Sequence, residues 1–252
     1  MKNKLTIGLL LVTVYLFWLL LSAPARLLTL ALPEGVRLAQ TSGTLWQGGA
    51  RHASWRGVEI DHLRWEFGFS SWLPGWHIRF NDPSGLRGQA WLHGLNEFVG
   101  REGRLTVPAR FISQRLAPGV PLEASGQVVL TLPEASFNAN GCQQLAGSNV
   151  LWQDAALSSP AGTLELAQVK GKLSCTPAGA LAIALTQDSH QLSLVGQGSI
   201  APDGRYRFNG TLQARQATPA LLTLLVAQNA RQDEQGRTPW QWQGRWLSGG
   251  RE

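Results

Sequence analysis

Residues 5–21 read LTIGLLLVTVYLFWLLL, a run without charge that, carried on to Ala23, is 19 residues long. As a helix rising about 1.5 Å per residue it spans about 28 Å, close to the roughly 30 Å of a bilayer's hydrocarbon. Lys2 and Lys4 precede it, half of the four lysines in the chain. The positive-inside rule keeps that end in the cytoplasm and sends the residues after about 24 across the membrane. Tyr15, Phe17 and Trp18 cluster toward the far end, where amphipathic rings favour the interface. A cleaved signal peptide is the rival reading, because Ala23-Pro24-Ala25 resembles an A-x-A site. Against it, the run exceeds the roughly 7–15 residues of a signal peptide's apolar core, and Pro24 stiffens the cleavage point. The expected layout is a tail at 1–4, a transmembrane helix at 5–23 and a juxtamembrane segment at 24–35. Either reading delivers the remainder to the exported side.

About 225 residues remain beyond the run, enough for one large domain or two small ones. With 28 Gly, 13 Pro and short alternating runs, they read as a β protein, and 15% charged residues argue against disorder. Cys142 and Cys175 are the only cysteines, both on the side where thiols oxidise. One disulfide is the favoured reading, worth about 3–4 kcal/mol on the chain-entropy model. A structural zinc is the alternative, though no CxxC or HxxxH pairing accompanies it. The net charge falls from +6 to +4 once Lys2 and Lys4 are set aside. The arginines come one at a time along strands, so the basic balance suits anionic headgroups better than nucleic acid.

Along the chain, Leu27, Leu28, Leu30 and Leu32 suggest a short apolar turn or helix on the outer membrane face. The pattern then changes to period two. Ser42-Gly43-Thr44-Leu45-Trp46-Gln47-Gly48 is a strand–turn–strand signal, and strand-like runs follow at 58–69, 76–80 and 86–92. Pro108 to Leu116 breaks the rhythm: Pro108 suits a first helical position, with Phe111, Ile112 and Leu116 on one face. The plan then recurs. Leu45-Trp46-Gln47 returns as Leu151-Trp152-Gln153, 106 residues on, and Leu86-x-Gly88-Gln89 as Leu194-x-Gly196-Gln197. Pro108-Ala109 returns as Pro219-Ala220 before an apolar helix at 221–227, and Pro121…Gly126 as Pro239…Gly244. Echoes among Gly- and Leu-rich strands are the plainer account, but the shared order favours two tandem repeats, 36–120 and 121–252. Asp203-Gly204 marks a hairpin, with Tyr206, Phe208 and Leu212 on one face. The fold class expected is therefore mainly β: a transmembrane helix followed by a curved antiparallel sheet built from two repeats with short helices.

Chemistry is sparse. His52, His62, His77, His93 and His190 stand at unrelated spacings, and no G-x-S-x-G, HExxH, Walker or GxGxxG sequence occurs. Glu59 and Asp61 would face the same side of one strand, most simply as surface charges. No catalytic, cofactor-binding or metal-ligating residue is assigned. Tryptophan is abundant, 11 in all with seven before residue 100. Trp72, Trp76 and Trp46 are candidates for an interface-anchoring or partner-docking surface, with core packing as the alternative. Trp240, Trp242 and Trp246 would share one face of a last strand and cover core.

The Lys-flanked single anchor, the lead-in Leu27-Leu28-Thr29-Leu30-Ala31-Leu32-Pro33, Ser42-Gly43-Thr44-Leu45-Trp46-Gln47-Gly48, Trp65…Leu73-Pro74-Gly75 and the two exported cysteines together resemble the type II secretion system protein N family. The resemblance implies a single-pass protein of the Gram-negative inner membrane, with a cytoplasmic N-terminus and a periplasmic C-terminal domain. It implies a non-enzymatic accessory subunit in export of folded proteins from periplasm to exterior. Its partners would be other type II secretion subunits, inner-membrane lipid and exported proteins, with no nucleic acid and no cofactor. The β architecture also looks similar to the AsmA-like group, which supplies the second functional reading: a periplasmic lipid-binding or lipid-transfer protein using the apolar face of the sheet.

Overall fold

The uncharged N-terminal run is helical. In the computed structural model, which describes residues 2–31, 35–55, 58–70, 72–94, 98–116, 123–160, 162–215 and 236–245, helix α1 spans Lys2–Leu21. Leucine, a strong helix former, dominates it, and every described apolar side chain on it is exposed, from Ile7 to Leu21. Among the described residues, no helix is long and apolar enough to cross a membrane. The expected span of 5–23 is thus not found as such: α1 stops at Leu21, and the side chains described on it begin at Thr6.

The helix ends because Pro24 forces it to. Ser22 N–H still donates to the Trp18 carbonyl, but Ala23 N–H closes one residue tighter on Leu20. Pro24 is extended at φ −70°, ψ 146° and has no N–H to continue the ladder. A 3-10 turn, Ala25–Leu27, and the four-residue helix α2, Leu28–Ala31, follow, as the apolar lead-in suggested.

The chain divides into two compact units, Met1–Asp82 and Pro83–Glu252. In the first, β1 (Val36–Gly43), β2 (Gln47–Trp55), β3 (Val58–Ser70) and β4 (Leu73–Asn81) pair antiparallel in chain order. Ala50 and Trp65 pack with Ala25 of the 3-10 turn, flanked by Leu28, Leu38, Leu63, Trp76 and Ile78. The alternation in β3, with Leu63, Trp65 and Phe67 turned in against Arg64 and Glu66, holds from Leu63 to Phe67, with Trp65 only 6% exposed, and ends at Phe69, which is 73% exposed. It fails before Leu63 because His62 adopts a left-handed conformation, φ 54°, which breaks the period of two.

The second unit holds β5 (Arg87–His93), β6 (Phe98–Pro108), α3 (Ala109–Leu116), β7 (Glu123–Asn138), β8 (Gly141–Ala146), β9 (Asn149–Ser159), β10 (Gly162–Cys175), β11 (Leu181–Asp188), β12 (Leu192–Ile200), β13 (Arg205–Ala214) and β14 (Thr238–Arg245). Neighbours in the chain pair antiparallel, with one departure. The long β7 is met by β8 along 134–138 and by β9 along 123–131, so β8 and β9 share its edge end to end. Its core is Ala155, Leu164, Leu166 and Leu192, ringed by Trp152, Leu157, Val169 and Leu212. The short helix stands where expected, one residue later: Pro108 ends β6 and Ala109 opens α3. The second expected helix, with Pro219, lies outside the described residues, as do Pro121 and Trp246.

The expected hairpin is present. Gly204 takes φ 82°, its N–H donates to the Ala201 carbonyl, and Ile200 pairs Tyr206 beyond the turn. Cross-strand glycines make room for rings: Gly198 lies beneath Phe208, and a Cβ on Gly48 would sit 2.7 Å from the Trp65 ring. A glycine covered by an opposing aromatic recovers the apolar contact that its own side chain lacks.

Candidate functional site

The segment 42–48 is a junction between helix and sheet. Gly43, at φ 85°, turns the chain out of β1. Thr44 closes the turn: its N–H donates to the Gln47 carbonyl at 2.8 Å, and its Oγ1 accepts from Gln47 N–H at 3.1 Å. Leu45 N–H reaches back to the Ala23 carbonyl at 2.8 Å, and Pro24 bridges Thr44. The Trp46 indole N–H donates to the Leu20 carbonyl at 2.9 Å, an acceptor in the last turn of α1 that it shares with Ala23 N–H. Two further indoles hold the turn from behind, Trp65 to the Thr44 carbonyl at 3.2 Å and Trp76 to the Leu45 carbonyl at 3.4 Å. The end of α1 is thereby stitched to the first unit.

From this junction an aromatic row runs to the tip of the β3–β4 hairpin. Phe67 N–H donates to the Trp46 carbonyl at 2.6 Å, and the Phe67 ring meets Trp46 edge-on at 5.0 Å. Phe67 also contacts Trp76 at 5.2 Å and Phe69 at 5.9 Å. At the tip, Phe69 is 73% exposed and Trp72 96% exposed. Trp72 has φ 69°, a conformation that bulky residues rarely adopt. The three candidate tryptophans therefore part company: Trp46 and Trp76 are half-buried pins, and Trp72 alone stands free in solvent. Phe69 was not among the candidates. Its place at the end of the alternating run, beside Leu73-Pro74-Gly75, was the available signal.

Cys142 and Cys175 form a disulfide with Cα atoms 5.4 Å apart. It joins β8 to β10 just beyond the point where the β9–β10 ladder stops, at Lys172↔Asn149. Leu173 N–H to the Ser148 carbonyl is the last backbone bond there, and Cys142 N–H turns to Gly179. The bridge holds two strands where backbone pairing gives out.

His52 Nδ1 lies 2.6 Å from Asp61 Oδ1, directly across the β2–β3 pair, while Asp61 N–H donates to Asp82. Among the described residues no three His, Cys, Asp or Glu side chains group to hold a metal ion. At the β12–β13 turn, Asp203 lies below the usual carboxylate range, first because Arg205 N–H donates to it, then through the guanidinium of Arg205 and the charge of Arg245. Two adjoining open grooves of about 520 and 390 Å³ lie over β10, sharing Lys170 and Thr186. The smaller is lined by Gln168, Lys170, Thr186, Gln187, Asp188 and Ser193 besides Leu194 and Val195.

Comparison with known proteins places this geometry. The family described as type II secretion system (T2SS), protein N, matches residues 34–241. The chain is 81% identical over 248 residues to type II secretion system protein N of Klebsiella pneumoniae, covering 98% of both chains. It is 38% identical to the protein of the same name from Pectobacterium carotovorum, over 98% of this chain and 99% of that one. The protein of that name from Aeromonas hydrophila is 33% identical, over 97% of this chain and the whole of that one. No solved structure matches. None of these names refers to lipid carriage, and the lipid reading draws no support from them. Matched over most of its length and along nearly all of each relative, the chain belongs to the type II secretion system protein N family.

Proposed function

We propose that this protein is a non-enzymatic accessory subunit of the type II secretion pathway, held in the inner membrane by α1 with its body in the periplasm. The observation that carries the reading is the 81% identity with the Klebsiella pneumoniae protein along 98% of both chains. Three features support the finer parts. The uncharged part of α1, residues 5–21, is about 26 Å long at 1.5 Å per residue, and its described apolar side chains are exposed. The disulfide belongs to an oxidising compartment. The body is strand-built, and β14 is hydrogen-bonded on one side, to β13.

The partners are other subunits of the machine, and exported proteins in transit. Such partners bind by adding a strand to an edge such as β14, where backbone hydrogen bonds supply affinity without a pocket. The two repeats, 36–120 and 121–252, are the source of this architecture. In support, β2 to β6, α3 and β7 follow one another as β9 to β13 and β14 do, and His62 and Ala167, 105 residues apart, are both left-handed.

Deleting the gene tests the proposal. Folded exoproteins are expected to accumulate in the periplasm and to be released again when the gene is restored. Undiminished secretion of every substrate would end the secretion reading. A photo-crosslinker at Gln243 on β14 is expected to trap another secretion subunit, and absence of any adduct would remove the edge as a docking strand.

A further inference from the structure

We propose that the β3–β4 hairpin tip, Phe69 with Trp72 and Leu73, is a second membrane contact that seats the first unit in the lipid headgroups beside the end of α1. The inference rests on the reading of α1 as the membrane anchor, and deepens it by naming the ligand of the aromatic tip as the bilayer surface.

The argument begins with exposure. Trp72 is 96% exposed, Phe69 73% and Leu73 40%, three large apolar side chains on one short hairpin. From Phe67 to Trp76 the sequence is FGFSSWLPGW, without a single charge. Tryptophan and phenylalanine beside small hydroxyl residues match the chemistry of the membrane–water interface, where amphipathic rings partition.

Position supplies the second part. The hairpin is tied to α1 inside one unit, because Phe67 N–H binds the Trp46 carbonyl and the Trp46 indole binds the Leu20 carbonyl. Trp72 lies five residues beyond Phe67, so at about 3.3 Å per residue its backbone is within about 17 Å of that tie. If the last turn of α1 emerges at the bilayer surface, the tip has the reach to lie on the same surface. Arg26 and Leu27, both exposed in the 3-10 turn after α1, place a cation and an alkyl group at that end of the helix, the pairing that anionic headgroups attract. Two contacts, helix and tip, fix the orientation of the first unit against the membrane where a lone helix would leave it free to swivel.

The test uses the full-length protein in phosphatidylethanolamine–phosphatidylglycerol vesicles, with the native disulfide oxidised. Single added cysteines at Ser70→Cys, Leu11→Cys and Arg207→Cys each carry an environment-sensitive dye, read against nitroxide lipids labelled in the headgroup or mid-chain. The expected result is quenching at position 70 mainly by headgroup nitroxide, at position 11 mainly by mid-chain nitroxide, and at position 207 by neither. Adding Phe69→Ser and Trp72→Ser to the Ser70→Cys protein is expected to cut the headgroup quenching at least twofold. Position 70 unquenched while position 11 is quenched would overturn the tip proposal and leave the anchor intact. Position 11 unquenched would overturn the anchor reading and this inference with it.

Discussion

At the scale of single residues, tryptophan shows how one amino acid takes several roles. Trp46, Trp65 and Trp76 spend their indole N–H groups on carbonyls of the helix–sheet junction, while Trp72 spends its ring on solvent. Trp46→Phe keeps the edge contact with Phe67 but leaves the Leu20 carbonyl without that donor. A loss of about 1 kcal/mol is expected, read as a lowered midpoint in thermal unfolding in detergent. Asp203 offers a test by pH. Its folded pKa is depressed, so its contribution is present above the ordinary aspartate value and disappears as pH falls through the folded one. Asp203→Asn should therefore melt below the parent protein near neutrality and approach it in strong acid. In sequence these residues were legible as types. Which tryptophan was pin and which was tip depended on neighbours 21 to 31 positions away.

At the scale of elements, alternation and turn chemistry located most strands. Leu63 to Phe69, Asp203-Gly204 and Pro108 each announced a structure that is present, because each rests on local sterics. What local patterns missed were the left-handed residues inside strands, Gln40, His62, Glu102, Asp154 and Ala167. None is glycine, so no residue type marks them; the pairing of neighbouring strands does. The same holds for β8 and β9, which part at Gly147, with the disulfide serving where the ladder stops. Replacing both Cys142 and Cys175 by serine is expected to cost about 2–4 kcal/mol, checked by denaturant unfolding against the oxidised parent. On a non-reducing gel the parent should migrate ahead of its reduced form, and the double variant should not.

At the scale of the whole molecule, one apolar helix precedes a body of fourteen described strands. The apolar side chains of α1 are exposed from Ile7 to Leu21, and on the proposed anchor reading each CH₂ they bury in lipid is worth about 0.8 kcal/mol. The intact chain is expected to stay in the membrane pellet after alkaline carbonate washing and to enter solution only with detergent. Replacing residues 1–23 by a cleavable signal peptide should release it into the periplasmic soluble fraction; a processed chain still held in the pellet would shift the weight of attachment to the hairpin tip.

The amino-acid sequence by itself determined the helix, the β class, the oxidisable cysteine pair and the family, since charge, periodicity, compartment and motif are written residue by residue. It also marked 42–48 as a distinctive turn. Only the tertiary structure decided why that turn matters. Its backbone and indole bond the end of α1, and Phe67, two residues before the exposed Phe69, bonds the same turn. The physical reason is range: side-chain period and turn preference act over a few residues. A hydrogen bond across 26 positions exists only after the chain has folded back on itself.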